Sequence, residues 1–136
     1  MATSALPVVT SALYGLLESA GLSANVYRYV PQKPAFPYVT IKSGTENRLD
    51  TFGRAGKSLL LQVHVHTSSA QYAGDGQALA ILAAIHAATN YAKPTLAGFD
   101  CLVCRPEDAF DAGTETVNGV DYYHFVQTIR VEVMPA

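Results

Sequence analysis

Apolar positions in the opening stretch recur at three- and four-residue intervals. In "TSALPVVTSALYGLLESAG", Leu6, Val9, Leu13, Leu16, Leu17 and Ala20 form one stripe, the pattern of an amphipathic helix. Thr3 or Ser4 can cap its start, Pro7 is tolerated within the first turn, and Gly21 suits the left-handed position past its end. A second helix is predicted from about Ala70 to Tyr91, capped by Ser68 or Ser69. Tyr72, Gly76, Leu79, Leu82, Ala83 and His86 trace one side of it, widened by Ile81 and Ile85.

Between and after these segments the period changes to two. "NVYRYV" is a short strand candidate ending at Pro31, and "PYVTIKSG" is a second, with Val39 and Ile41 on one face. The intervening "QKPAFP" is read as a stiff, extended connector, because proline fixes φ and pushes the residue before it to extended conformations. Phe36 is its one large apolar group and is expected to pin it to the core. "SLLLQVHVHT" alternates most clearly, with Leu59, Leu61, Val63 and Val65 on one face and Ser58, Leu60, Gln62, His64 and His66 on the other. "FDCLVCR" is a further strand. In the closing "VDYYHFVQTIRVEV", Tyr123, Phe125, Ile129, Val131 and Val133 share a face on which Gln127 is the polar exception; Tyr122, His124, Val126, Thr128 and Arg130 lie opposite. Two polar stretches, Thr45–Lys57 and Pro106–Gly119, are read as long loops, the first as a loop or flexible hairpin tip. Asn118-Gly119 is a turn signal.

The element order is α-β-β-β-α-β-β. Strands come in runs, so an α+β fold is expected, a mainly antiparallel sheet packed against two α-helices in a single domain spanning 1–136. Composition agrees with a folded globule: 49% of the 136 residues are hydrophobic and 15% charged. A net charge of −2 without a Lys/Arg cluster gives no general case for gripping nucleic acid. Apolar runs fall well short of the ~18 residues that span a bilayer, and the N-terminus lacks a basic region before an apolar stretch. A protein made in the cytoplasm, away from membranes, is expected.

Candidate chemistry is sparse. Cys101 and Cys104 form a C-x-x-C within an apolar run. Positions three apart on a strand face opposite ways, so joint ligation is disfavoured and two unpaired structural thiols are expected. His64 and His66 share a strand face and could both reach a metal ion, but a site needs further ligands. His86 and His124 have no assigned distance from them, and the plainer reading is an exposed or interface-facing side. Glu107, Asp108, Asp111 and Glu115 do not match the calcium-loop spacing. There is no Walker-type loop, no G-x-S-x-G elbow and no selected triad. No catalytic residue, metal or cofactor is assigned.

Taken in order, "ALPVVTSALYGLLES", "VYRYVPQKPAFPYVTI", "LLLQVHVHT", "ALAILAAIHAA" and "YYHFVQTIRVEV" resemble the tail-completion proteins of long-tailed bacteriophages and related prophages, also called tail terminator or tail-to-head joining proteins. The resemblance spans almost the whole chain, and its most specific piece is V-P-Q followed by F-P-Y-V between two strands. It implies a non-enzymatic virion protein, a hexameric ring that caps the tail tube and meets the head connector or stopper protein, with DNA passing through its lumen. Two further readings stand beside it: another neck component such as a connector stopper, and a metal-dependent enzyme built on His64 and His66. A generic binding module is a third.

Under the ring reading, the two polar stretches carry the contacts. Arg48, Asp50, Phe52, Arg54 and Lys57 on the first, with Asp108, Phe110, Asp111 and Glu115 on the second, are the candidate interface residues. Arg48 and Arg54 are expected to face the lumen or dock the tube, with solvated loop charges as the alternative. Apolar Leu60, Tyr122 and Val126 opposite the main core face suggest a second face covered by a neighbouring subunit. Removing Asp108–Glu115 is expected to spare the fold, since that stretch supplies little core.

Overall fold

The computed structural model describes residues 4–51, 54–70 and 74–136. Two helices, α1 (Leu6–Glu18) and α2 (Gly76–Thr89), accompany five strands: β1 (Asn25–Val26), β2 (Tyr38–Thr51), β3 (Arg54–Ser68), β4 (Phe99–Val117) and β5 (Val120–Pro135). The strands form one sheet in the order β1-β2-β3-β5-β4. β1 runs parallel to β2, and every other neighbouring pair is antiparallel. The fold is α+β, and the sheet is mixed because of that two-residue first strand.

One sheet face is the core. Val39, Leu59, Leu61, Val63, Val65, Ile129 and Val133 are completely buried on it, against Val9, Leu13 and Leu17 of α1 and Ala78, Ile81 and Ile85 of α2. The alternation in β2, β3 and β5 thus maps directly onto burial, as period-two patterning requires where one face is covered. The α1 stripe also holds, joined by Tyr14, whose hydroxyl donates to the Ile41 carbonyl and accepts from the Ile41 N–H.

The α1 start draws on Ser4, whose hydroxyl accepts the Leu6 N–H at 3.3 Å, and on a residue distant in sequence. Thr3 lies outside the described residues, and Ala5 holds the N-cap position without a side-chain bond. Instead Glu46 of β2 reaches the helix start: the Ala5 N–H donates to its Oε1 at 2.7 Å and the Ser4 hydroxyl to its Oε2 at 2.9 Å. Gly21 has φ +66°, as expected past a helix end.

α2 is shorter than its pattern predicts, and it turns a different side inward. Tyr72 lies outside the described residues, and the helix begins after Asp75 without a side-chain cap. Ala78, Ile81, Leu82, Ile85 and Thr89 are buried, whereas Leu79, Ala83 and His86 are exposed. Alanine and isoleucine encircle this helix, so several stripes compete and packing chooses among them.

The two polar stretches are strand. Residues 45–51 and 54–57 extend β2 and β3 into a long hairpin, with Arg48 opposite Lys57 and Thr51 opposite Arg54; Phe52 lies outside the described residues. A bulge at Gly44 accompanies this extension: a Cβ there would strike the Leu60 carbonyl, so the close approach of backbone requires glycine. Pro106–Val117 continues β4 along β5 to a tight turn at Asn118 and Gly119, both at positive φ. Polar composition misled here because both segments pair through backbone with little burial.

Three bulges interrupt β4, between Cys101 and Val103, Pro106 and Ala109, and Asp111 and Gly113. The first changes the expected parity of the cysteines. Cys101 stands opposite Val133 and Cys104 opposite Val131, two positions apart on β5, so both thiols face the core. The second explains the polar exception on β5. The buried Gln127 amide donates to the Asp108 carbonyl at 3.1 Å, and the Thr128 hydroxyl accepts the Asp108 N–H at 2.9 Å, satisfying backbone that the bulge unpairs.

Candidate functional site

The second face of the sheet carries the polar chemistry. Its centre is a row of rings from three strands. Tyr38 of β2 stacks on His66 of β3 at 4.5 Å, and His66 stacks on His124 of β5 at 4.3 Å. His124 in turn lies 4.9 Å from His64. The register dictates this: His66 stands opposite both Tyr38 and His124, and His64 is two positions away on the same face. Phe36 joins the row, with its centroid 5.1 Å from Tyr38 and 5.3 Å from Tyr122. The proline connector is therefore anchored on this face and not, as its sequence suggests, on the core. Its C-terminal end is tied to β1 by Asn25, whose side chain donates to the carbonyls of Ala35 and Pro37.

The imidazoles touch through polar atoms as well. Nδ1 of His64 lies 2.7 Å from Nε2 of His124, and Nε2 of His64 lies 3.1 Å from the Gln62 side-chain oxygen. Burial, reinforced by the His124 and Lys42 charges, pushes His64 down to about 4. Burial together with His124, His64 and Lys42 pushes His66 down to about 4. Burial and Lys42 also lower His124, against an opposing pull from Asp111. All three shifts favour the neutral ring, the form that keeps a lone pair for a donor or cation.

Beside them is a cleft of about 300 Å³ lined by His66, His124, Tyr122, Tyr123 and the β4 segment from Ala112 to Glu115. Farther along the same face Arg130 forms a two-pronged pair with Glu107, Nε to Oε1 at 2.6 Å and Nη2 to Oε2 at 3.3 Å, and also donates to Ser58. The apolar residues of this face are less available than their parity suggests, since Val126 is only 2% exposed.

The candidate interface residues fall into two groups. Arg48, Asp50, Arg54 and Lys57 belong to the β2–β3 hairpin, of which the part beyond Lys57 has no β5 partner. Asp108, Phe110, Asp111 and Glu115 belong to β4, the sheet's outer strand. The β4–β5 turn leaves the sheet at the opposite end, beyond the pairing of Ser68 with Tyr122. Glu115 and, through its charge, Asp111 thereby come to the histidine row, while Arg48 and Lys57 do not. The residue that spacing left unassigned is His124; its parity on β5 matched His64 and His66, but the register that joins them is a tertiary property.

Tyr29 in the connector is 92% exposed, and Leu102, Phe110 and Val117 are exposed along β4. Among the described residues, β4 presents an unpaired outer edge, and β2 beyond Val39 presents the other, because β1 covers only Tyr38 and Val39.

Comparison with known proteins gives two findings. The family described as Tail completion protein gp17 matches residues 7–133. Among solved structures, a chain titled "Virion of native gene transfer agent (GTA) particle" is similar in fold, with a TM-score of 0.67 and 22% identity, covering 96% of this chain and 99% of that one. No curated protein matches the sequence.

Proposed function

The chain belongs to the tail completion protein gp17 family, and we propose that it caps the phage tail tube as a ring, the hexamer that the resemblance implies, and joins the tail to the head connector. It is a structural protein of a phage-like virion tail. The observation that carries the proposal is the family match over residues 7–133.

The architecture supports a ring. Among the described residues, β4 on one side and β2 beyond Val39 on the other have no outer strand partner, and exposed Leu102, Phe110 and Val117 lie along β4. Unpaired edges favour association unless they are protected. Head-to-tail contact between unlike edges closes into a ring when the rotation allows. The bulges and Pro106 in β4 limit continuous pairing there, which favours a defined short contact over an open-ended one. In this reading the β2–β3 hairpin, with Arg48, Asp50, Arg54 and Lys57, contacts the tail tube or lines the lumen through which DNA passes. Asp108, Phe110, Asp111 and Glu115 on β4 meet the next subunit or the connector.

The test is a phage carrying a null allele of this protein. Separate, DNA-filled heads and finished tails, restored to joined particles by the wild-type chain, are the expected result. Heads that lose their DNA would point to a connector stopper. Native mass measurement of the purified protein across concentrations reads the ring, and a strictly monomeric species in both solution and virion would overturn it.

A further inference from the structure

We propose that His64, His66 and His124 form a binding site for one divalent transition-metal ion of the zinc, cobalt, nickel or copper kind. One ligand nitrogen from each ring lies within 4.8 Å of the others, on two adjacent strands whose register is set by the core face beneath. Backbone pairing of this kind holds donors more firmly than a loop does.

The closest contact shows what the cluster lacks. Two imidazole nitrogens 2.7 Å apart cannot both present lone pairs, so in the metal-free protein one of Nδ1 of His64 and Nε2 of His124 carries a hydrogen and donates it to the other. When Nε2–H of His64 donates to the Gln62 oxygen, Nδ1 is left as the acceptor and His124 as the donor. A metal ion takes the place of this hydrogen, which moves to Nδ1 of His124 as that neutral ring changes tautomer, and Gln62 is retained as the outer partner that orients the His64 ring. Metal–nitrogen bonds of ~2.0–2.1 Å at tetrahedral angles place nitrogens roughly 3.3 Å apart, so the pair opens by about half an ångström.

His66 supplies the third donor, held between Tyr38 and His124 by stacking on both sides. The cleft beside it gives the ion an open position for water or for the Glu115 carboxylate in the cleft wall. Neutral imidazoles select zinc, nickel, cobalt or copper over magnesium and calcium, which prefer oxygen. Two nearby charges act on a cation here in opposite senses: Lys42 repels it, and Asp111 attracts it.

Equilibrium dialysis of the full-length, chelator-stripped protein against zinc chloride tests the site, with cobalt chloride and visible absorption reading the coordination. One ion per chain is expected, with tetrahedral cobalt bands. His66→Asn and His124→Asn should each weaken binding roughly tenfold or more. Lys42→Met should tighten it, an effect that a merely structural histidine row would not produce. His86→Asn and the Cys101→Ser/Cys104→Ser pair should leave it unchanged. No saturable binding by the wild-type chain, or binding that survives in folded His66→Asn/His124→Asn protein, would overturn the proposal.

Discussion

Glu46 holds the start of α1 by accepting the Ala5 backbone N–H at 2.7 Å, from a position 41 residues away in sequence. A carboxylate at a helix N-terminus meets both an orphan donor and the positive end of the helix dipole. Glu46→Ala should therefore lower stability by about 1–2 kcal/mol, the range of a lost N-cap. Chemical denaturation measures it. Glu46→Gln, which keeps the acceptor without the charge, should lose less.

Two glycines should respond to alanine in opposite directions. At Gly44 the added methyl meets the Leu60 carbonyl, which belongs to the β2–β3 ladder and cannot step aside. Gly44→Ala should be destabilising by roughly 2 kcal/mol or more, in the manner of overpacking. Gly15 lies on the exposed side of α1 with open space around it, so Gly15→Ala should stabilise by about 0.5–1 kcal/mol. Thermal melts of the two variants should move apart.

Arg130 and its hydrogen bond hold the Glu107 carboxyl below its usual range. A depressed carboxylate adds stability above its unfolded pKa and loses it as pH falls through the folded value. The wild-type chain should thus lose stability below about pH 4.5 more steeply than Glu107→Gln. The group is partly solvated, so the difference should be small, on the order of 1 kcal/mol at most. Melting temperatures of both proteins from neutral to acid pH give the comparison.

Arg48→Glu with Arg54→Glu should leave the fold intact and impair tail joining. Arg48 is exposed on β2, and both positions lie on hairpin arms beyond the core. Circular dichroism reads the first outcome and counts of joined particles the second. Infectious particles at wild-type yield would remove these arginines from the interface.

Deleting 108–115 should abolish soluble protein, the reverse of what the polar sequence suggests. The segment runs along β5, with Phe110 opposite Val126 and Glu115 opposite Tyr122, and Thr128 and Gln127 bond its backbone. Soluble, cooperatively folding deletion protein would show that β4 contributes little.

Side chains that alternate or repeat with a strong apolar contrast were readable in the sequence: Val39 and Ile41, Leu59 through Val65, and the Leu13–Leu17 side of α1. So was the Asn118-Gly119 turn, whose backbone demand is local. Arg48 and Thr114 lie in strands that were invisible because their pairing is a main-chain matter and neither is buried. The two cysteines are the unpaired thiols expected, but their facing was misread for a different reason. One extra residue at the Cys101–Val103 bulge inverts the facing of everything after it, so Cys104 is 1% exposed and its thiol is pushed up to about 11 by burial. For the candidate site, spacing showed His64 with His66, but only the β3–β5 register adds His124.

The outer arms of the β2–β3 and β4–β5 hairpins lie at opposite ends of the sheet, and their residues are unlike: arms carrying Arg48 and Lys57 at one end, Val117-Asn118-Gly119 at the other. The molecule is therefore an arrow along its strands. Copies standing side by side with arrows aligned make an array whose upper and lower rims differ in charge and shape. Such an array distinguishes what lies upstream from what lies downstream, and it fits a one-way conduit in a single orientation.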